Sequence, residues 1–372
     1  MNDELDMFRK TVRQFIQAEF VPQHARWCQQ HRPDTEAWTK AGETGILLPD
    51  LPEEYGAGGT FAHEAVVIEE LAQAGVCFGS NVHNIVAHYI LAYGSAEQKK
   101  NWLPRMVRGE LVGAIAMTEP GAGSDLAGIK TTARRDGNQY VINGSKTFIT
   151  NGWHAGIVTL AVKTDPKAPG VKGISLIVVE TKNLPGYRVG RSLEKLGRHA
   201  QDTCELFFDD VRVPAANLLG PAEGKGFNQM MEQLPFERLS IGVGAVATSE
   251  LAVAITIKYA KERKAFGQTL LDFQNTRFKL AECKTLSHVG RVFLDNCIAR
   301  FIAGQLDAST AAMVKYWLTD CQGTIVDECL QLHGGYGYST EYPIARLWAD
   351  SRVERIYAGT NEIMKEVIGW SL

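Results

Sequence analysis

The chain has 372 residues, 45% hydrophobic and 22% charged, the balance of a folded globular protein rather than a disordered or fibrous one. Thirty-nine lysines and arginines against 42 aspartates and glutamates give a net charge of -3. A dominant nucleic-acid-binding role, which leaves a strongly basic signature, is thereby excluded, and at about 150 residues per domain the length predicts two or three domains.

The first hundred residues read as helix. Leu5, Phe8, Val12, Phe15 and Ile16 recur at steps of three and four, which is one apolar stripe. Asp3, Glu4 and Asp6 stand where a leader peptide would be basic and then apolar, so no signal or transit segment is expected. Pro49, Pro52 and the glycines of 56–59 predict a long turn. Ser95-Ala96-Glu97-Gln98 reads as a capping box.

From about Leu111 the pattern becomes short β-branched or alternating runs, at 140–142, 148–150, 158–162, 174–179 and 205–208. Asp136-Gly137 and Asn143-Gly144 supply turn dipeptides. No helical run follows each strand, which argues an antiparallel barrel or sandwich rather than a doubly wound sheet. Beyond Gly226 long helices are predicted over 230–261, 273–301 and 308–332, with a short one over 364–370, the content of a four-helix bundle. The expected fold class is therefore α+β: an N-terminal all-α domain over 1–112, a middle antiparallel β-barrel over 113–225 and a C-terminal four-helix bundle over 226–372.

The most apolar run, 241–257, is interrupted by Glu250, so no membrane span is expected. Seven scattered cysteines, never spaced C-x-x-C, predict free buried thiols and the reducing cytoplasm. The histidines form neither H-E-x-x-H nor a zinc-ribbon spacing, and no metal is expected.

Five strings carry chemistry. Met117-Thr118-Glu119-Pro120-Gly121-Ala122-Gly123-Ser124-Asp125 has glycines that let backbone approach a flat or phosphorylated ligand, with Thr118 and Ser124 as donors. An ordinary glycine turn would read the same way. It is neither a Rossmann fingerprint nor a P-loop, and the chain holds no G-x-S-x-G elbow. His333-Gly334-Gly335-Tyr336-Gly337-Tyr338 has more glycines than a helix stop requires. Arg263-Lys264-Ala265-Phe266-Gly267 reads as solvated charge or as an anion site. In Tyr357-Ala358-Gly359-Thr360-Asn361-Glu362, Thr360 fits an N-cap and leaves an amide cluster for an anion. Glu237-Arg238 sits inside an apolar segment. It is either an ion pair on a solvated face or a carboxylate beside an apolar pocket, raised toward working pH so that it can remove a proton.

Taken together the strings resemble the acyl-CoA dehydrogenase family over essentially the whole chain. The resemblance rests on A-M-T-E-P-G-A-G-S-D, I-N-G-S-K-T-F-I-T-N-G, E-R-K-A-F-G-Q, Q-L-H-G-G-Y-G-Y and I-Y-A-G-T-N-E-I, in family order. Q-D-T-C-E-L-F-F-D-D, E-Q-L-P-F-E-R-L and G-T-N-E-I-M-K-E look most like the long-chain branch. The resemblance implies the α-β-α order just read, FAD between the β domain and the bundle, homotetramers that complete one another's FAD sites, and electrons passed to an electron-transfer flavoprotein.

Carried over by position, Ile115, Ala116, Met117, Thr118 and Ser124 would line the flavin ring and the start of the CoA arm. Phe148 stands where many relatives carry tryptophan, and Thr150 would donate near the flavin edge. Arg263, Phe266 and Gln274 would reach a neighbouring subunit's FAD, with Gln331, Leu332, His333, Gly334 and Gly335 on its adenosine side. Thr360, Asn361 and Glu362 would sit near the diphosphate and ribose. Ser124, Asn228, Pro235, Phe236, Arg238, Ala358 and Gly359 would line the acyl-CoA channel.

One departure decides the expected chemistry. Many members carry the catalytic glutamate as I-Y-E-G-T, and here that position is Ala358. In the long-chain and isovaleryl-type branches the glutamate comes from E-R-L, and this chain has Glu237 there. The implied reaction is α,β-dehydrogenation of a saturated acyl-CoA to the trans-2-enoyl-CoA, on medium, long or branched chains, with Glu237 as base. An isovaleryl-type enzyme, a flavin oxidase, an acyl-CoA-binding homologue without turnover and an enoyl-CoA reductase are the alternatives.

Overall fold

The structure is a computed structural model that describes residues 3–372. Six α-helices come first: α1 (Asp3–Phe15), α2 (Val21–Gln30), α3 (Thr35–Glu43), α4 (Phe61–Gln73), α5 (Ser80–Tyr93) and α6 (Ala96–Val107). The amphipathic stripe of α1 faces α4, and Arg9 and Arg13 clamp Glu69 and Glu70 across that seam. The Ser95 capping box forms as expected, with Gln98 N donating to Ser95 Oγ at 3.2 Å and Ser95 N donating to Gln98 Oε1 at 2.8 Å. Thr60 and His63 make a second capping box at the start of α4. It escapes a sequence search because His63 replaces the usual Glu or Gln.

Seven strands follow: β1 (Val112–Ala116), β2 (Thr132–Asp136), β3 (Gln139–Thr150), β4 (Ala155–Lys163), β5 (Ile174–Glu180), β6 (Tyr187–Ser192) and β7 (Thr203–Pro214), ordered β1-β4-β2-β3-β7-β6 with β5 on β4. The sheet is mixed where a purely antiparallel one was expected. β1 runs parallel to β4, and β2 meets β4 in parallel at Thr132–Lys163. β1 and β4 are buried almost throughout, and α5 packs on β1, the two-sided burial that parallel pairing favours. Asp136-Gly137 turns the β2–β3 hairpin, but Asn143-Gly144 does not turn. β3 continues through it with a bulge, Asn143 exchanging hydrogen bonds with Asp210. A Cβ on Gly144 would lie 2.4 Å from Thr131 Oγ1, so only glycine lets the strand pass.

The last third holds α7 (Gly226–Glu262), a small hairpin of β8 (Lys264–Ala265) and β9 (Gln268–Thr269), then α8 (Gln274–Ile302), α9 (Ala308–His333), α10 (Pro343–Ser351) and α11 (Asn361–Gly369). The sequence reading missed α10, a nine-residue helix that Pro343 starts and that packs its apolar face on α7 and α9. α7 is long and apolar enough to cross a membrane, but 67% of its most apolar window is buried inside the protein. It packs against α4, α5, α8, α9 and α10 at once, and that explains its nearly all-round hydrophobicity. Glu250 meets Arg291 of α8 at its surface. All seven cysteines are free thiols.

Candidate active site

Glu237 sits midway along the interface of α7 with the N-terminal helices and is 6% exposed. Tyr89, fully buried on α5, donates its hydroxyl to Glu237 Oε1 at 3.0 Å. Phe236 fixes the register of this contact by stacking on His88 at 4.2 Å and meeting Phe61 edge-on at 5.5 Å. Burial pushes the Glu237 carboxyl up to about 7, against the downward pull of the Tyr89 hydrogen bond and the Arg238 charge. A carboxylate titrating near neutrality is suited to general-base work. The solvated-face alternative for Glu237-Arg238 is therefore excluded, since Arg238 is also buried and makes no hydrogen bond through Nε among the described residues. Sequence reasoning missed Tyr89, one of two tyrosines among the apolar residues of α5, because nothing local marks it as a partner of Glu237.

The turn between Tyr357 and α11 is the second component. Ala358 has φ +50° and Gly359 φ +86°. For alanine the left-handed region costs about 1–2 kcal/mol, so surrounding contacts must enforce it. Lys315 of α9 does so from full burial, donating to Gly359 O at 2.7 Å and to Asn361 Oδ1 at 2.9 Å. Burial lowers Lys315 to about 8, with Glu354 opposing. Asn361 donates in turn to Tyr316 O, Thr319 Oγ1 and Asp320 Oδ1. The side chain of Asn361 thus points into the bundle as a positioning group, while exposed Glu362 follows it. Thr360 caps α11 by accepting from Ile363 N. The Arg238 charge also reaches Lys315, so the base helix and the 358–361 turn share one interface with α9.

The third component is the glycine loop after β1. Glu119 is its anchor: Lys146 Nζ donates to it at 2.8 Å and to Met117 O at 2.9 Å, and Thr131 N donates to Glu119 at 3.0 Å. Burial lowers Lys146 to about 8, and the bond to Glu119 resists that shift. Ala116 is fully buried and offers only backbone, Ile115, Met117 and Thr118 are half-buried, and Ser124 is exposed. A Cβ on Gly121 or Gly123 would meet nothing within 4 Å, so the loop edges an open cradle. Phe148 overlooks it from a β3 bulge, 67% exposed at φ +59°, with half-buried Thr150 beyond. Asn151, next along, is buried and donates to Gly79 O and Gly113 O.

Arg263, Phe266 and the glycines after α9 form an exposed rim, and the other expected positions lie apart from it. Phe266 stands at the tip of the β8–β9 hairpin, 97% exposed at φ +51° and followed by Gly267 at φ +80°. Arg263 lies over the Tyr336 ring at 5.4 Å. Gln274 and Gln331 are exposed, and Leu332 is half-buried. The His333 ring is used internally: Nδ1–H donates to Cys329 O at 2.8 Å, and the ring stacks on Tyr259. The backbone carbonyl of His333 is also taken, accepting from the Tyr259 hydroxyl at 3.2 Å. Gly334 ends α9 at φ +59°, and both Gly334 and Gly335 border empty space. Asn228 is exposed and Pro235 half-buried inside α7.

A buried carboxylate raised toward neutrality, together with exposed glycines and bare aromatic rings, is the equipment of a proton-abstracting enzyme that binds a flat cofactor. The N-terminal, middle and C-terminal domains of acyl-CoA dehydrogenase match residues 2–110, 114–211 and 224–372. The chain is 47% identical to the long-chain specific acyl-CoA dehydrogenase of Sus scrofa mitochondria, over 99% of this chain and 86% of that protein. An acyl-CoA dehydrogenase from Geobacillus kaustophilus superposes with a TM-score of 0.97 at 47% identity, covering 100% of this chain and 98% of that one. A glutaryl-CoA dehydrogenase from Mycobacterium smegmatis in complex with FADH2 gives 0.92 at 30% identity, covering 100% and 95%. The chain belongs to the acyl-CoA dehydrogenase family: it is an FAD-dependent oxidoreductase that dehydrogenates acyl-CoA thioesters in fatty-acid oxidation. The residues present fit that cofactor: Gly121 and Gly123 on one loop, and Gly334 and Gly335 on another, have open space where a Cβ would stand, and Phe148 and Phe266 present exposed rings.

Proposed function

We propose that the chain converts medium-, long- or branched-chain saturated acyl-CoAs to trans-2-enoyl-CoAs with Glu237 as the base. The observation that carries this reading is the burial of Glu237 against Tyr89. Ionised Glu237 takes the α-proton onto its carboxylate, and burial makes that proton acceptor stronger than an exposed glutamate. Tyr89 holds one carboxylate oxygen, leaving the other to face the substrate. The left-handed turn at Ala358 provides its amide for the thioester oxygen, polarising it as charge develops. That task needs backbone alone, which is consistent with alanine at this position. When bound, FAD accepts the hydride from the β-carbon. Phe148, Thr150 and the Thr118 loop would orient its ring, while Arg263, Phe266 and Gln274 would reach a neighbouring subunit's cofactor, Arg263 as partner for the pyrophosphate, with 331–335 on its adenosine side.

The same rim supports a homotetramer, since Phe266 and the α8 residues Phe278, Val289 and Val292 are exposed apolar groups. Family membership supports an electron-transfer flavoprotein as acceptor. The free thiols support a reducing compartment such as the cytoplasm. The test is anaerobic flavin bleaching by acyl-CoAs of graded length and branching, followed by turnover with an artificial acceptor. Bleaching without peroxide formation in air supports the dehydrogenase; rapid peroxide formation would identify an oxidase.

A further inference from the structure

The left-handed turn at Ala358 is held from both ends. After it, Lys315 grips Gly359 O and Asn361. Before it, Tyr357 N donates to Val353 O at 3.1 Å, so the turn hangs from the short helix Arg352–Arg355. That helix carries Glu354, which is buried and accepts a charge-assisted hydrogen bond from Arg198 Nη2. The Arg198 guanidinium also donates through Nε to Asp350 O at 3.2 Å and lies 5.7 Å from the centre of the Tyr357 ring. Its backbone N–H goes to the Asp350 carboxylate. One arginine thus meets the residue immediately before Ala358 and both acids of the segment leading to it.

Arg198 arrives from the middle domain. It sits in the loop between β6 and β7 at φ +51°, a conformation a long side chain keeps only where contacts enforce it. Gly197 permits the approach, since a Cβ there would stand 2.5 Å from the Ala349 backbone of α10. The loop is braced internally: Gln201 N donates to Arg198 O at 3.1 Å, and Lys195 Nζ to Gln201 O at 2.7 Å. At its far end Asp202 accepts from Trp153 N at 2.8 Å, and Thr203 pairs with Thr150 across β7 and β3. A short braced segment therefore joins the Arg198 clasp to the strand edge at Thr150. An arginine serving only solubility would not take this form, because burying Glu354 beneath it costs solvation that only well-aligned bonds recover.

We infer that Arg198 is a positioning residue for the reaction: it holds the Ala358 amide in register with the Thr150 edge of β3. This rests on the proposed role of that amide in polarising the thioester. Arg198 acts through Glu354 and Tyr357. Burial pushes the Glu354 carboxyl up, and the Arg198 charge opposes it. Without Arg198, Glu354 takes up a proton instead of standing as a bare buried charge. The fold is then spared while the turn loses its second anchor.

The experiment uses the FAD-loaded enzyme and dimethylaminocinnamoyl-CoA, whose absorbance moves to longer wavelength when its thioester carbonyl is polarised. The wild type should shift the bound probe. Arg198→Met keeps the bulk of the stem and loses the fork, so most of the shift should vanish. Anaerobic bleaching at saturating acyl-CoA should slow by a factor on the order of ten to a hundred, the cost of a misplacement of about one ångström. Probe affinity and flavin content should stay within about threefold, because uniform binding is untouched. Arg198→Lys restores the charge and should regain part of both the shift and the rate. Glu354→Gln breaks the same pair from the other side and should reproduce the loss even if Arg198→Met does not fold. A purely architectural arginine would lower melting temperature and flavin content but leave the folded fraction with the wild-type spectrum, and that result would overturn the inference. So would a full shift and full rate in both variants. Absence of any shift in the wild type would defeat the Ala358 amide reading itself, and this inference with it.

Discussion

The proposed proton-acceptor centre and the proposed cofactor rim are built on opposite principles. Glu237, Tyr89, Lys315 and Asn361 are buried, and Tyr89 and Lys315 hold Glu237 and the 359–361 turn from other helices of the same chain. Phe148, Phe266, Arg263 and the Gly334-Gly335 step are exposed, with aromatic faces unpacked. The first region is complete within one chain, because tuning a carboxylate requires excluding water before substrate arrives. In the proposed reading the second is covered by another subunit, because exposed aromatic residues held at positive φ return no packing energy for their strain on one chain alone. On that proposal chemistry belongs to one chain's core and cofactor retention to association.

The largest effect should come from the centre. Glu237→Gln keeps shape and packing but removes the proton acceptor, and the anaerobic bleaching rate should fall by a factor on the order of 10² or more, with flavin content unchanged. Adding Ala358→Glu to that background should restore part of the rate. A wild-type rate in Glu237→Gln would break the contrast and move attention to Glu362. That carboxyl is exposed and held below its ordinary value by its own backbone amide and the Thr360 hydroxyl, a poor setting for a base.

At the rim, Arg263→Ala combined with Phe266→Ala should weaken FAD retention by roughly tenfold. The loss should deepen on dilution as subunits separate, and ultrafiltration with light scattering reads both quantities. Unchanged retention at all concentrations would show that a single chain holds its own cofactor.

A smaller effect is expected from pH. The reductive rate should rise with pH through about 7 as Glu237 ionises and level off above it. Tyr89→Phe removes a contact that lowers this carboxyl, so the midpoint should move up, and a stopped-flow pH series measures the shift. The stability sign runs the other way. Between its ordinary 4.5 and about 7 the folded chain keeps a proton that the unfolded chain has released, so this group's contribution falls as pH rises through that window.

The smallest effect should be Ala358→Gly. Relief of about 1 kcal/mol of left-handed strain is offset by a similar gain in unfolded-chain freedom. The bleaching rate should stay within about twofold of wild type and the melting temperature within about 2 °C.

The α-β-α order, the three long helices, the Ser95 cap and the Glu237-for-Ala358 exchange were all legible in sequence, because periodicity, capping pairs and short motifs are local properties. The helix cap at Thr360 and the glycine stop at Gly334 were equally readable. Other features were decided only by tertiary structure. Asn143-Gly144 forms a bulge rather than a turn, with Thr131 of the neighbouring hairpin arm filling the space beside Gly144. β1 and β4 pair in parallel because helices cover them, which no strand pattern encodes. Asn361 turns inward because buried Lys315 requires an acceptor. Tyr89 meets Glu237 across 148 residues of chain. Sequence by itself determined which groups are present and which helices and turns carry them. Packing alone decided their solvent, their partners and hence their pKa values, because desolvation and hydrogen bonding depend on what surrounds a group in space.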